Sequence, residues 1–554
     1  MFSGFDLQLK DKSLKYNVYF NDVFDNLNYE DSDYIVVLEG CILNKSKLLQ
    51  TFQTDAFTEI IIQLYHKKRE LFPNELSGEF RGFIFDKKKN KLLIYNNHTG
   101  TQRIFYHQTA QHNFYVDTNL LRLTKTVKDS EILDLKPNSD AFYHLVTIGY
   151  ILGHISPLKN FFRLLEGSII LMDNISGYYE IKHYFDLYDI EIFKGSKKEA
   201  LLEADHLFNE AVIEEYEKDL EMGKEHFTTI SGGLDSRLVL FYALKNNFRK
   251  GQRLFCFSQK NYTDEIVAKE IAESEKLKLD FVSLEKFEFI SNIDKLTKIS
   301  EGFNLYFGSI HVDFAMSKLK VEEKKKIGLI HTGQIGGGVL GSYLKSKNPR
   351  PIDISTLVYN KEFLEEFKEY ITPYLSEKYR EDIFLTKTSG FNATILGSLV
   401  FNQYSYQSSP FMNKDFLRFI LSIPYEWRFR SNFYVQWIKS YCKPATQFVW
   451  ERTHMKPNAK WKTFLGDYVM RRVFNYYQKF RNKSENVSMF PYQYYFDRNE
   501  KLRKIYDDYF LENIKLIDYD YKLTEAVKTL YSKDDFHKKV FAIHILSVHK
   551  LYFS

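Results

Sequence analysis

At 554 residues the chain is too long for one ordinary hydrophobic core, so two or more domains are expected. Its 44% hydrophobic and 27% charged residues describe a soluble globular protein, and a net charge of +5 gives no case for nucleic acid, which needs a clustered basic face. Three cysteines, Cys41, Cys256 and Cys442, are odd in number and far apart, which excludes a disulfide framework or a CxxC metal site and fits a reducing compartment. Met1 to Lys10 carries Asp6 and no apolar run, so no signal peptide is expected. No stretch approaches the roughly 18 apolar residues of a membrane span, and the expected location is the cytoplasm.

From Met1 to about Tyr184 short strands predominate. Tyr34 to Leu38 reads as a strand ending at Glu39-Gly40, and Ala56 to Leu71 as a helix, with Phe57, Ile60, Ile61 and Leu64 at helical spacing and Pro73 closing it. Phe80 to Phe85 and Lys91 to Tyr95 read as strands joined by a polar turn, and Gly167 to Met172 as another. An antiparallel sheet layered with helices suits this order.

The polar stretch Phe193 to Lys198 marks a boundary, giving domains at residues 1–190 and 196–554. A helical pattern from Lys198 to Glu217 is followed by alternating strands and helices: Phe227 to Ile230, a helix from Leu234, Leu254 to Ser258, a helix from Asp264 to Lys276, Phe281 to Leu284, and Gly328 to Thr332. Alternation of this kind predicts an α/β fold with a doubly wound parallel sheet. Beyond Lys345 the pattern is helical.

Ser231-Gly232-Gly233-Leu234-Asp235-Ser236 lies between an apolar strand and a helix. Glycines let a backbone approach a phosphate closely, and the amides at a helix start attract anions. The serine hydroxyls are donors for phosphate oxygens, and Asp235 is a candidate Mg²⁺ ligand. A bare Gly-Gly here would be a plain tight turn; the whole string in this setting points to phosphate binding. No Gly-Lys-Ser/Thr follows, so this is not a P-loop.

The string resembles the pyrophosphatase loop (PP-loop) of N-type enzymes, which split ATP between the α- and β-phosphates. Within that group Ser-Gly-Gly-Leu-Asp-Ser points to the asparagine synthetase superfamily. Leu254 to Ser258 stands where the second strand would bracket adenine, which places Phe257 in the nucleotide site. Thr263-Asp264-Glu265 resembles the start of the family's next helix, and Ser409 to Asn413 its Pro-Phe-Leu-Asp segment. The resemblance implies ATP and Mg²⁺ as cofactors, an amino-terminal Ntn-type layered α+β (αββα) domain, and an adenine nucleotide α-hydrolase-like domain with a helical carboxy-terminal part.

The chain also departs from that pattern. Where the family reads Ser-Gly-Glu-Gly-(Ala/Ser)-Asp-Glu, this chain reads Thr332-Gly333-Gln334-Ile335-Gly336-Gly337-Gly338, with Gln334 at the glutamate and glycines at the Asp-Glu pair. Gly333 remains to approach the nucleotide. Arg237 replaces a small serine and either neutralises phosphate charge or faces solvent from the helix. Lys456 falls where the family places a basic residue that stabilises the adenylation transition state. Arg237, Gln334 and Lys456 are therefore the catalytic candidates.

Phe85-Asp86, Asn96 to Gly100 and Ile104 to Tyr106 resemble a class II glutamine amidotransferase domain. The family's cysteine nucleophile follows the initiator methionine, where this chain has Phe2, and its substrate-holding Arg-Asp reads Asn96-Asn97. Glutamine hydrolysis is accordingly not expected. The resemblance implies an ATP-dependent, AMP-forming amide ligase that activates a small-molecule or peptide carboxylate for attack by ammonia or a substrate amine, as in β-lactam synthetases and lasso-peptide cyclases. A noncatalytic nucleotide-binding scaffold or sensor stays open as the alternative. No nucleic acid or membrane partner is expected, and a homodimer is compatible with the architecture.

Overall fold

The computed structural model describes residues 3–20, 24–131, 134–285, 288–375, 380–394, 397–458 and 488–554. The amino-terminal part holds eleven described strands: β1 (Gly4–Lys10), β2 (Ser13–Tyr19), β3 (Leu27–Glu30), β4 (Tyr34–Ile42), β5 (Gly78–Asp86), β6 (Lys91–Asn96), β7 (Phe105–Gln108), β8 (Phe114–Asp117), β9 (Phe162–Arg163), β10 (Ser168–Asp173) and β11 (Tyr179–His183). They form two antiparallel sheets, ordered β2-β1-β8-β7-β9 and β11-β10-β6-β5-β4-β3.

Successive residues of a strand point to opposite faces, and both faces are apolar here. Leu7 of β1, Val37 of β4, Phe83 of β5, Ile94 of β6 and Val116 of β8 meet between the two sheets. The opposite face of the six-stranded sheet, with Val36, Ile84 and Tyr95, packs on Ile60, Ile61 and Leu64 of the helix Phe57–Lys68. Phe105 and Tyr115 on the outer face of the other sheet meet Leu123 and Val127 of the helix Leu120–Ser130. The result is four layers, helix–sheet–sheet–helix. The strands β7 to β9 of the five-stranded sheet are short, and periodicity alone does not mark them.

The carboxy-terminal part is built on β12 (Glu225–Thr229), β13 (Gln252–Ser258), β14 (Lys278–Ser283), β15 (Ile327–His331) and β16 (Gln407–Ser408). All pairings are parallel, in the order β14-β13-β12-β15-β16. The helices Lys197–Glu221, Leu234–Lys245 and Thr263–Glu275 cover one face. Ile293–Ser300, Ile310–Ser317 and the long helix Phe536–Phe553 contribute to the core on the other. The fold is therefore mixed α/β, with a parallel sheet sandwiched between helices as the alternation predicts. Among the described residues no helix is long and apolar enough to cross a membrane.

The helix Lys197–Glu221 starts within the polar stretch Phe193 to Lys198. Ser196 caps it, accepting from the Glu199 amide while the Glu199 carboxylate accepts from the Ser196 amide, a reciprocal arrangement that satisfies two otherwise orphaned donors. The two parts are tightly joined. Lys218 meets Asp25 at 2.7 Å and Arg103 meets Glu301 at 2.8 Å, all buried.

Candidate functional site

The order of the parallel sheet reverses between β12 and β15, since β13 and β14 lie on one side of β12 while β15 and β16 lie on the other. Connections leave such a pair of strands in opposite directions and open a crevice at their carboxyl ends. Two loops enter that crevice, residues 230–233 after β12 and 332–337 after β15.

The first loop is held by its own serines. Ser231 donates its amide to the Ser236 hydroxyl at 3.2 Å, and Gly233 donates its amide to the Ser231 hydroxyl at 3.1 Å. Gly233 then caps the helix Leu234–Lys245, whose first-turn amides have no carbonyl of their own helix to reach. The loops touch through Gly333. A Cβ there would lie 2.5 Å from the Asp235 carbonyl carbon and the Ser236 nitrogen, so only glycine permits the contact. Ile335 holds a φ of +58°, a strained conformation for a β-branched residue, just before Gly337 donates its amide to Asp235 at 2.8 Å.

Beside these loops lies a cavity of about 650 Å³, within the range of small-molecule sites. Ser231, Gly233, Asp235 and Ser236 form one wall, and Thr332, Gly333 and Gln334 another. Phe255 and Phe257 of β13, His311 and Met489 supply an apolar end. Burial pushes the His311 imidazole down to about 4, so it is neutral there.

Two carboxylates face this space. Asp235 is half-buried and accepts from the Tyr434 hydroxyl at 2.7 Å as well as from Gly337; desolvation outweighs these donors and holds it above the usual carboxylate range. Asp264 opens the helix Thr263–Glu275 and accepts the Gly232 amide at 2.6 Å. Burial and the adjacent Glu451 carboxylate push it up to about 7. Arg452 and Arg237 stabilise these acids in part, and each carboxylate oxygen keeps a lone pair beyond the bond it accepts, so the pair suits a cation.

Of the residues expected from sequence, Ser231, Gly233, Asp235, Ser236, Phe257, Gly333 and Gln334 line the cavity together. Gly232 does not: its amide is spent on Asp264 and its carbonyl accepts from Arg237 and from the Glu451 amide. Leu234 faces the core, 2% exposed. Arg237 requires a correction to both sequence readings. It is completely buried and donates to the carbonyls of Gly232, Phe448 and Val449, so it neither faces solvent nor lines the cavity. Lys456 is exposed and does not line the cavity. Sequence reasoning named Asp264 only as a helix start and missed His311, Tyr434 and the Gly337 amide. An acid at the start of the helix after the second strand was the available signal for Asp264; the others come from distant segments.

Residues 25–185 match the glutamine amidotransferase domain family. Two proteins of Methanocaldococcus jannaschii named putative asparagine synthetase [glutamine-hydrolyzing] 2 and 1 are similar to the chain. The first is 26% identical over 59% of this chain and 64% of its own length, and the second 22% identical over 72% and 66%. The chain is asparagine synthetase-related. Its matches thus span just under two thirds of those archaeal relatives. The allosteric regulatory enzyme of purine biosynthesis, a solved structure, aligns with 50% of this asparagine synthetase-related chain and 74% of its own at 8% identity and a TM-score of 0.23.

Within the amidotransferase match, Asn97 takes a structural part. Its side chain donates to Thr99 and Thr101 at 2.8 Å each and accepts the Gln102 amide at 3.1 Å, knitting the loop after β6. Cys41, Cys256 and Cys442 are all buried, and burial pushes each thiol up, Cys442 to about 12.

Proposed function

We propose that the chain binds ATP in the 650 Å³ cavity and activates a carboxylate as an acyl-adenylate, which ammonia or an amine of the substrate then converts to an amide. The observation that carries this reading is the meeting of the Ser231–Ser236 loop with Gly333 at the sheet's switch point, beside Asp235 and Asp264. The first-turn amides and the two serine hydroxyls suit the phosphates, while Phe257, Phe255 and neutral His311 suit a purine ring. Mg²⁺ fits the donor set: Asp235 and Asp264 would hold it, and when bound it offsets the charge of the polyphosphate.

Glutamine is not the nitrogen source in this reading. Each cysteine of the sequence is buried with its thiol held protonated, and thiolate is the nucleophile such hydrolysis needs. A noncatalytic nucleotide-binding role is favoured by one observation, that Asp235 is met by the amide of Gly337 where relatives place a carboxylate.

Mg²⁺-dependent exchange of labelled pyrophosphate into ATP, screened over small and peptide carboxylates, separates the two. Exchange with any carboxylate is expected, with loss of at least a hundredfold in Asp264→Asn. ATP binding without exchange across the panel would replace the ligase with the scaffold. No glutamate release from glutamine is expected in the same preparations.

A further inference from the structure

A second cavity, of about 300 Å³, lies between the amino-terminal and carboxy-terminal parts. Arg163 of β9 lines it and is 7% exposed. Of its five N–H donors two are used, one on the Asn392 side chain at 2.6 Å and one on the Gly153 carbonyl at 2.6 Å, both neutral; its Nε is buried without a partner. Among the described residues no carboxylate forms an ion pair with it; Glu166 acts on it only through space, and the ring of Phe303 lies at 5.1 Å. Burial pulls the guanidinium down to about 10. A buried charge without an ion-pair partner is costly, and proteins rarely keep one unless something pairs with it.

The surroundings show what would. Lys387 lines the same space and is paired with Glu166 at 3.2 Å and with Asp186, outside the cavity, at 3.4 Å. Glu166 is thus shared between Lys387, its ion-pair partner, and Arg163, so the two cations of the lining outnumber its one carboxylate. His154 and His183 stand exposed at the rim. Gly153, whose carbonyl holds Arg163, has a φ of +67°, and a Cβ there would run into the ring of Tyr374 at 2.3 Å, so this wall is narrowly specified.

We propose that this interdomain cavity is a binding site for a small anion, whose carboxylate or phosphate group is held by the Arg163 guanidinium. Arg163 comes from the amino-terminal part, and Asn392 and Lys387 from the segment Thr386–Thr394 of the other. Ala393 and Thr394 of that segment line the larger cavity, so the anion and the nucleotide would sit on either side of one short stretch of chain. The site does not depend on the ligase reading.

Calorimetric titration of the full chain with inorganic phosphate, and separately with succinate, tests this. One of the two is expected to bind with a stoichiometry of one, phosphate alone indicating a phosphorylated ligand and succinate alone a carboxylate. Binding is expected to weaken at least tenfold in Arg163→Gln and in His154→Glu, the latter an exposed rim position that adds negative charge without touching the core. No heat from either anion, or binding that is unchanged in both variants and therefore located elsewhere, overturns the proposal. If Arg163→Gln fails to fold, His154→Glu decides alone.

Discussion

Arg237 stands next to the Ser231–Ser236 run, and nothing in its sequence neighbourhood says where its side chain goes. The tertiary structure turns it inward to clamp three carbonyls, tying the loop through Gly232 to the bend at Phe448 and Val449. A planar fork with several donors suits three carbonyls, and an ammonium does not. Arg237→Lys is therefore expected to behave nearly as badly as Arg237→Met, each costing about 2–4 kcal/mol in urea unfolding as buried carbonyls lose their donors. A loss confined to ATP binding at full stability would contradict the clamp. Gly333→Ala makes the complementary case. Its Cβ meets backbone rather than a flexible side chain, so the loops must part. The expected cost is about 1–3 kcal/mol of stability together with at least tenfold weaker nucleotide binding, measured by titration with a fluorescent ATP analogue.

At the scale of elements, the helix Lys197–Glu221 and the strands β12 and β15 share a buried polar network. Asp219 accepts from His226 at 2.8 Å, from His331 at 2.7 Å and from the Leu329 amide at 2.7 Å, while Glu215 faces the other nitrogen of His331 at 3.3 Å. Tyr216 stacks on the His331 ring at 3.8 Å. Burial would push the His331 imidazole down, but the Asp219 and Glu215 carboxylates push it up to about 9. Folded His331 therefore holds its proton more tightly than the unfolded chain does. Its contribution to stability is complete below the ordinary imidazole pKa of about 6.5 and disappears as pH climbs through 9. Asp219, held below its usual value, contributes above the ordinary carboxylate range and loses that contribution in acid. Thermal melts are expected to show Tm falling between pH 6.5 and 9, and His331→Gln is expected to flatten that slope while lowering stability at pH 6. An unchanged slope would assign the pH dependence to other groups; Glu79 is not among them, since burial pushes its carboxyl only up to about 7 and its contribution is lost below this window.

Over the whole molecule, the two parts are bound by buried charges as well as by apolar surface. Arg103, from the amino-terminal part, pairs with Glu301 at 2.8 Å and also donates to the Ser300 and Ile299 carbonyls. Removing one member strands the other in the interior, so Arg103→Met is expected to cost about 3–5 kcal/mol. Calorimetry of the intact chain is expected to show one transition. Two well-separated transitions, the same as those of residues 1–190 and 196–554 made separately, would show that the interface adds little.

The start of the helix Lys197–Glu221 was legible because a polar stretch precedes a long helical period and a capping pair. The parallel sheet was legible because buried strands alternate with helical patterns. The amino-terminal domain was legible only in part: β4, β5, β6 and β10 are apolar and regular, whereas β7, β8 and β9 are short and owe their pairing to distant partners. Likewise the loop Ser231–Ser236 announced itself through glycine, serine and aspartate in a strand-to-helix setting.

What the sequence determined by itself is local: which residues must be glycine, where helices begin, which chemistry the loop offers. Only the tertiary structure decided that Gly232 and Arg237 serve the scaffold, that Asp264 joins Asp235 at the cavity, and that Arg163 lies buried between the two parts without an ion-pair partner. Backbone preference and hydrophobic period act over a few residues, while the environment of a charge is set by neighbours far along the chain, which no local pattern encodes.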